Sequence, residues 1–115
     1  MKQHLGKKSV LKIYIDSTDV YEDKALWEAL LEKVKEFGLA GATVSKSVAG
    51  IGINSEVHTF DIWSLSQKLP LVIEIVDEKK RIEKFLDGVE SMIDEAFVTL
   101  GKVEVLRYKN EKADF

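Results

Sequence analysis

The spacing of apolar residues switches between a period of two and a period near 3.6 along this chain, and that alternation restricts the fold more than any other feature. In "SVLKIYID", Leu11, Ile13 and Ile15 alternate with Lys12, Tyr14 and Asp16, the pattern of a half-buried strand. After the turn-like "DSTDVYED", residues from about Lys24 to Phe37 place Trp27, Leu30, Leu31, Val34 and Phe37 at helical spacing, and Gly38 stands at the usual stop position. "GATVSKSV" reads as a second strand from about Ala42 to Val48, with Thr43, Ser45 and Ser47 on one face. "HTFDIWSLS" and "LPLVIEIVD" are extended, with Pro70 confined to an edge, bend or bulge because it lacks an amide donor. Asp77 suits the N-cap of a second helix in "EKKRIEKFLDGVESMI", where Ile82, Phe85, Leu86, Val89 and Ile93 share one face. A linker, "EAFVTLG", then leads to a last strand, "KVEVLRY".

The order β-α-β-β-α-β in 115 residues specifies one domain over residues 1–115. The predicted class is α+β: a ferredoxin-like βαββαβ sandwich whose antiparallel sheet carries two helices on one face. Two helices leave the other face to solvent or to another subunit, and Tyr14, Trp63 and Leu65 are placed there, so a homo-oligomer is expected.

Composition removes several function classes. The absence of cysteine excludes a disulfide framework, a thiol nucleophile and Cys-ligated metal. A net charge of -3, with lysines interleaved among glutamates, argues against nucleic acid as the main partner. No run of about 18 apolar residues could span a bilayer, and "MKQHLGKKSV" has no apolar stretch behind its basic residues, so a cytoplasmic protein that is not membrane-embedded is expected.

Two connections stand out. Gly50 and Gly52 free the backbone for positive φ and for close approach by a phosphate or an adenine edge, but a lone Gly-x-Gly is first of all what a bulge or turn needs. Gly101 and Lys102 form a predicted turn that offers an amide and an ammonium to one anion, or simply a turn with a solvated lysine. This is no P-loop, because Val103 follows Lys102 and no glycine stands five residues before Gly101.

Taken together, "GATVSKSVAGIG", a polar segment ending in His58, "LPLVIEIVD", a second helix and the Gly-Lys turn resemble the nitrogen-regulatory PII superfamily. The sequence is most similar to its PII-like branch, through "LKIYI", "YEDKALWEALLEKVKEFGLAGATV" and the passage from "HT" to "LPLVIEIVD", over roughly residues 8 to 108. The resemblance implies a homotrimer that binds an adenine nucleotide, ATP or ADP, in clefts between subunits, a ligand that magnesium can accompany. It also implies a non-enzymatic regulator that contacts a transporter or an enzyme through the loop from Gly50 to about Thr59, a segment that includes Asn54, Glu56 and His58. Thr43 matches the threonine near the adenine, Gly52 the glycine at the foot of the loop, Glu74 the glutamate of the "IEI" strand, and Gly101 and Lys102 the end of the phosphate-binding turn. Val48, Gly50, Ile51 and Arg107 complete the implied nucleotide site. Three departures stand beside these matches. The turn is shorter and poorer in glycine, the family's paired arginines are missing, with Arg107 the only arginine in that region and at a different offset, and the modified loop tyrosine has no counterpart between Gly50 and Thr59. Weak phosphate affinity, or a preference for ADP, AMP or a derivative, follows from them.

Acylphosphatases share the element order, but "DSTDVYEDK" has no arginine for that chemistry. A trimeric divalent-metal binder of the copper-tolerance type is the alternative: Glu56 and His58 stand two apart, and the site would need completion across subunits. His58 is equally a loop residue hydrogen-bonded through one ring nitrogen. Asp16, Asp19 and Asp23 are read as turn and helix caps, which leaves general acid–base catalysis without candidates.

Overall fold

The computed structural model describes residues 5–47, 49–51, 57–59 and 69–108. Its strands are β1 (Gly6–Asp16), β2 (Val20–Tyr21), β3 (Lys24–Ala25), β4 (Thr43–Lys46), β5 (Ala49–Ile51), β6 (Val57–Thr59), β7 (Pro70–Asp77) and β8 (Phe97–Val105). Helix α1 (Leu26–Glu36) precedes β4, and α2 (Lys79–Val89) follows β7 and passes into one 3-10 turn, Glu90–Met92. The main sheet has the order β4-β7-β1-β8, all antiparallel. This is the expected ferredoxin-like sandwich.

Period-two patterning decides which side of the sheet is covered. Leu11, Ile13 and Ile15 of β1 and Leu71, Ile73 and Ile75 of β7 point toward the helices, where Leu26, Ala29, Leu30, Val34, Ile82, Phe85 and Val89 close the core. Each such aliphatic or aromatic side chain contributes roughly 1.5–3 kcal/mol on burial, so the core is concentrated over the two central strands. The buried stripe of α1 runs through Leu26, Ala29, Leu30 and Val34, while Trp27 and Leu31 are half-buried and Phe37 remains 37% exposed. That is a rotation from the predicted stripe: Leu26 and Ala29 take the inner positions, and the larger Trp27 lies at the margin.

Gly38, with φ +67°, ends α1 in a Schellman arrangement. Gly38 N–H donates to Lys35 O at 3.1 Å and Leu39 N–H to Val34 O at 3.2 Å. Pro70 occupies the first position of β7, where a missing donor costs least.

Several predicted elements are corrected. The last strand covers Phe97–Val105 instead of residues 102–108, and each of its residues lies opposite one of Gly6–Tyr14. A loop at 97–101 would have left the outer amides and carbonyls of β1 unpaired, which is costlier than placing one glycine inside a strand. Gly101 and Lys102 therefore lie mid-strand, opposite Val10 and Ser9, and not in a turn. Residues 50–59 are not a loose segment throughout: Gly50 lies opposite His58 and Ile51 opposite Val57, so β5 and β6 form a hairpin stem.

The acidic caps are reassigned as well. Ala25 and Glu78 are the N-cap residues of α1 and α2, and neither forms a side-chain cap hydrogen bond. The Asp19 carboxylate instead accepts from Asp16 N–H at 2.9 Å and closes the turn after β1. Asp77 is the last residue of β7, fully buried, and tied to a different connection.

Candidate functional site

Residues that face away from the helices follow from the strand register. Thr43 on β4 lies opposite Glu74 on β7, Glu74 opposite Lys12 on β1, and Lys12 opposite Thr99 on β8. One polar row thus crosses the open face. It is flanked by apolar rows: Val72, Tyr14 and Phe97 on one side, Val76, Val10 and Gly101 on the other. Phe97 is 63% exposed, and its ring centroid lies 5.5 Å from that of Tyr14. Trp63 and Leu65, also predicted for this face, lie outside the described residues.

At the β4 edge the row opens into a cleft of about 380 Å3 lined by Ala40, Gly41, Ala42, Thr43, Glu74, Val76, Val105 and Tyr108. Its floor is sheet and its near wall is the connection from α1 to β4. The far wall is formed by the end of β8 and by residues 106–108, which carry Tyr108 back across the end of the sheet. Tyr108 Oη stands 3.5 Å from Ala40 O, so the two walls meet at that point. Thr43 and Glu74 are both exposed into solvent, leaving a hydroxyl and a carboxylate available side by side on adjacent strands.

A fixed set of bonds holds the near wall. The Asp77 carboxylate accepts from Ala40 N–H at 2.8 Å through Oδ2 and from Glu78 N–H at 2.7 Å through Oδ1. Arg81 Nη1 lies 3.4 Å from the same Oδ1, and Arg81 Nη2 donates to Gly38 O. A buried carboxylate is costly unless paired and hydrogen-bonded, and Asp77 has both kinds of partner.

The remaining predicted residues are distributed as follows. Lys102 lies opposite Ser9, which is buried on the helix-covered side with Leu11, so Lys102 projects from the sheet face opposite to Thr43 and Glu74. On that side of β8, Val98 is half-buried against the core, while Leu100 and Lys102 further along the strand are exposed. Arg107 is exposed beyond the end of β8. Gly50, Ile51 and His58 belong to the β5–β6 stem. Val48, Gly52, Asn54 and Glu56 lie outside the described residues. One chain therefore brings together Thr43 and Glu74 and leaves Lys102 apart. Sequence reasoning missed Tyr108 and the 40–42 wall, which meet only because residues 106–108 bring Tyr108 to Ala40, sixty-eight positions earlier, a contact that no local pattern signals.

Among the described residues no group of three or more His, Cys, Asp and Glu side chains could hold a metal ion, and no helix is long and apolar enough to cross a membrane.

An open antiparallel sheet with two helices on one face defines the ferredoxin-like class, and comparison with solved structures finds the same fold in PII-like proteins. CPII of Thiomonas intermedia K12, a nitrogen regulatory PII-like protein solved with ADP, AMP and bicarbonate, superposes with a TM-score of 0.68 at 13% identity, covering 88% of this chain and 90% of that one. A PII-like signaling protein structure from Thermus thermophilus gives 0.63 at 15% identity, covering 88% and 91%.

By sequence the chain belongs to the DUF190 family (Uncharacterized ACR, COG1993), whose model matches residues 8–105. A UPF0166 protein of Aquifex aeolicus is 37% identical over 100 residues, 87% of this chain and 94% of its own length. Another from Methanocaldococcus jannaschii is 36% identical over 87 residues, 76% of this chain and 80% of its own.

Proposed function

We propose that this protein is a PII-like, non-enzymatic regulator that binds an adenine nucleotide in clefts between the subunits of a homotrimer. It signals to a transporter or an enzyme through the segment from Gly50 to Thr59. One observation carries the reading: Thr43, matched through the PII resemblance to the threonine near the adenine, and Glu74, matched to the glutamate of the "IEI" strand, stand on adjacent strands at a cleft of about 380 Å3. The cleft is open to solvent on one side, so a second subunit is needed to enclose a ligand there. Adenine presents an exocyclic amine that a carboxylate can accept from and ring nitrogens that a hydroxyl can donate to.

Lys102 supplies charge for the phosphates, and Arg107 adds a second cation from the chain end. The apolar rows around Tyr14, Val72 and Phe97 and around Val10 and Val76 are the surface that neighbouring subunits cover. Ligand binding then changes the population of the 50–59 segment, which requires the nucleotide to prefer one of its states. The CPII structure with ADP and AMP supports the choice of ligand class.

Calorimetric titration with ATP, ADP, AMP and a cyclic nucleotide, with and without magnesium, tests this. The expected result is binding near one site per chain, and no heat with any of the four overturns the reading. Lys102→Ala should weaken the nucleotide that binds by about 1.5–3 kcal/mol, as for loss of a charge-assisted hydrogen bond, or about 10- to 150-fold. Sedimentation should report a trimer; a monodisperse monomer removes the shared cleft.

A further inference from the structure

We infer that Asp77 and Arg81 are positioning residues that set the geometry of the cleft by clamping the α1–β4 connection to the first turn of α2. The inference rests on the proposed nucleotide reading for its functional part, while its structural part stands on the bonds themselves. Neither side chain lines the cleft. Both act through the backbone of residues 38–40, which leads directly into the wall formed by Ala40, Gly41, Ala42 and Thr43.

The clamp grips that connection at two atoms of opposite polarity. Asp77 Oδ2 takes the Ala40 N–H at 2.8 Å, and the Arg81 guanidinium takes the Gly38 carbonyl while lying 3.4 Å from Asp77 Oδ1. Asp77 is 0% exposed and closes β7; Arg81 stands four residues on, in the first turn of α2. The backbone of Ala40 is thereby fixed through its N–H to the β7–α2 junction and approached at its carbonyl by Tyr108 from the far wall. A shift of α2 along its axis would move Arg81, then Gly38 and Ala40, then the spacing between Thr43 and Tyr108. A carboxylate is required at 77 because it must accept at both oxygens. An amide there offers one acceptor, so either Ala40 N–H or Glu78 N–H is left facing a donor.

Arg81→Gln, Arg81→Lys and Asp77→Asn, studied in the full chain, test the inference by amide hydrogen exchange resolved residue by residue and by ADP titration. In Arg81→Gln the Ala40 amide should exchange at least ~10-fold faster, while the Ile73 and Ile75 amides of the core stay within about twofold, since local opening is separable from global unfolding. ADP should bind about 5- to 20-fold more weakly to Arg81→Gln, with Arg81→Lys in between because a point charge keeps the ion pair and loses the fork. Asp77→Asn should show the larger change at Ala40. Should Asp77→Asn fail to fold, Arg81→Gln, whose side chain is 33% exposed, carries the test alone.

Ala40 protection equal to that of the wild type in the folded variants overturns the clamp. Faster Ala40 exchange with unaltered ADP affinity overturns its coupling to the cleft. A wild-type protein that ignores ADP while Arg81→Gln frees Ala40 supports the clamp and sinks the nucleotide reading instead.

Discussion

Gly88 lies in the last turn of α2, and replacing a helical glycine with alanine ordinarily adds up to about 1 kcal/mol of stability. Here the sign should reverse. A Cβ at Gly88 falls on the Phe37 ring, with Cε1 at 3.0 Å and Cε2 at 3.2 Å, so the ring must move. Phe37 is 37% exposed, and its ring meets Phe85 edge-on at a centroid distance of 5.9 Å. A phenylalanine ring that buries roughly 150–250 Å2 when fully covered has about 100–150 Å2 covered at this exposure, which is roughly 2.5–4 kcal/mol of transfer free energy. Losing half of that coverage costs about 1–2 kcal/mol, and losing the edge contact costs a further ~0.5–1.5 kcal/mol. Set against the alanine gain, Gly88→Ala should be net destabilising by about 1–2 kcal/mol, a fall in Tm of roughly 4–8 °C for a chain of this size. Denaturant unfolding at fixed protein concentration measures the difference, and a double-mutant cycle isolates its cause. In a Phe37→Ala background, the same Gly88→Ala change should become stabilising by about 0.5–1 kcal/mol, because nothing opposes the Cβ. A stabilised Gly88→Ala single mutant, or the same sign in both backgrounds, refutes the packing argument.

Two backbone positions give further expectations. Gly38→Ala forces a Cβ into the left-handed region at the end of α1 and should cost about 1–2 kcal/mol, read as a shift in the urea midpoint with an unchanged slope. Glu22, at φ 52° in the β2–β3 turn, already carries that kind of strain, so Glu22→Gly should stabilise by about 0.5–1 kcal/mol after the added chain entropy of glycine is counted; a lower Tm speaks against it.

The parts of the fold that were legible from sequence are those that local periodicity encodes. Leu11, Ile13 and Ile15 declare their strand because one face of it must be buried, and Ile82, Phe85 and Val89 declare α2 for the same reason. What escaped depends on partners distant in sequence. Gly101 reads as punctuation until Val10, ninety-one positions earlier, is seen to lie opposite it in the sheet. Asp77 reads as a helix cap because an aspartate before a helix usually is one, yet the Ala40 amide, thirty-seven positions earlier, takes one of its oxygens. Of the cleft, Thr43 and Glu74 were reached through family resemblance, and their adjacency is a matter of register that composition does not carry. Tyr108 was unreachable by either route.

The separation of Lys102 from Thr43 has a consequence for how a binding site could be assembled. Strand alternation puts their side chains on opposite faces of one sheet, and that sheet lies between them in any single chain. A small nucleotide touching both must then draw them from two subunits, with the β4 edge of one chain meeting the exposed outer side of β8 in the next. Subunit mixing distinguishes this from a site built within one chain. Thr43→Tyr would fill the cleft and Lys102→Ala would remove the phosphate charge, so each homo-oligomer should bind ADP poorly. Unfolding the two variants together and refolding them in equal amounts should restore strong binding at about a quarter of the sites, the fraction of heterologous interfaces that pair an intact Thr43 with an intact Lys102. A site contained in one chain gains nothing from mixing, because every chain carries one of the two defects. Restored sites in that proportion support a shared cleft, and their absence from a mixture shown to have exchanged subunits would place Lys102 outside the binding site.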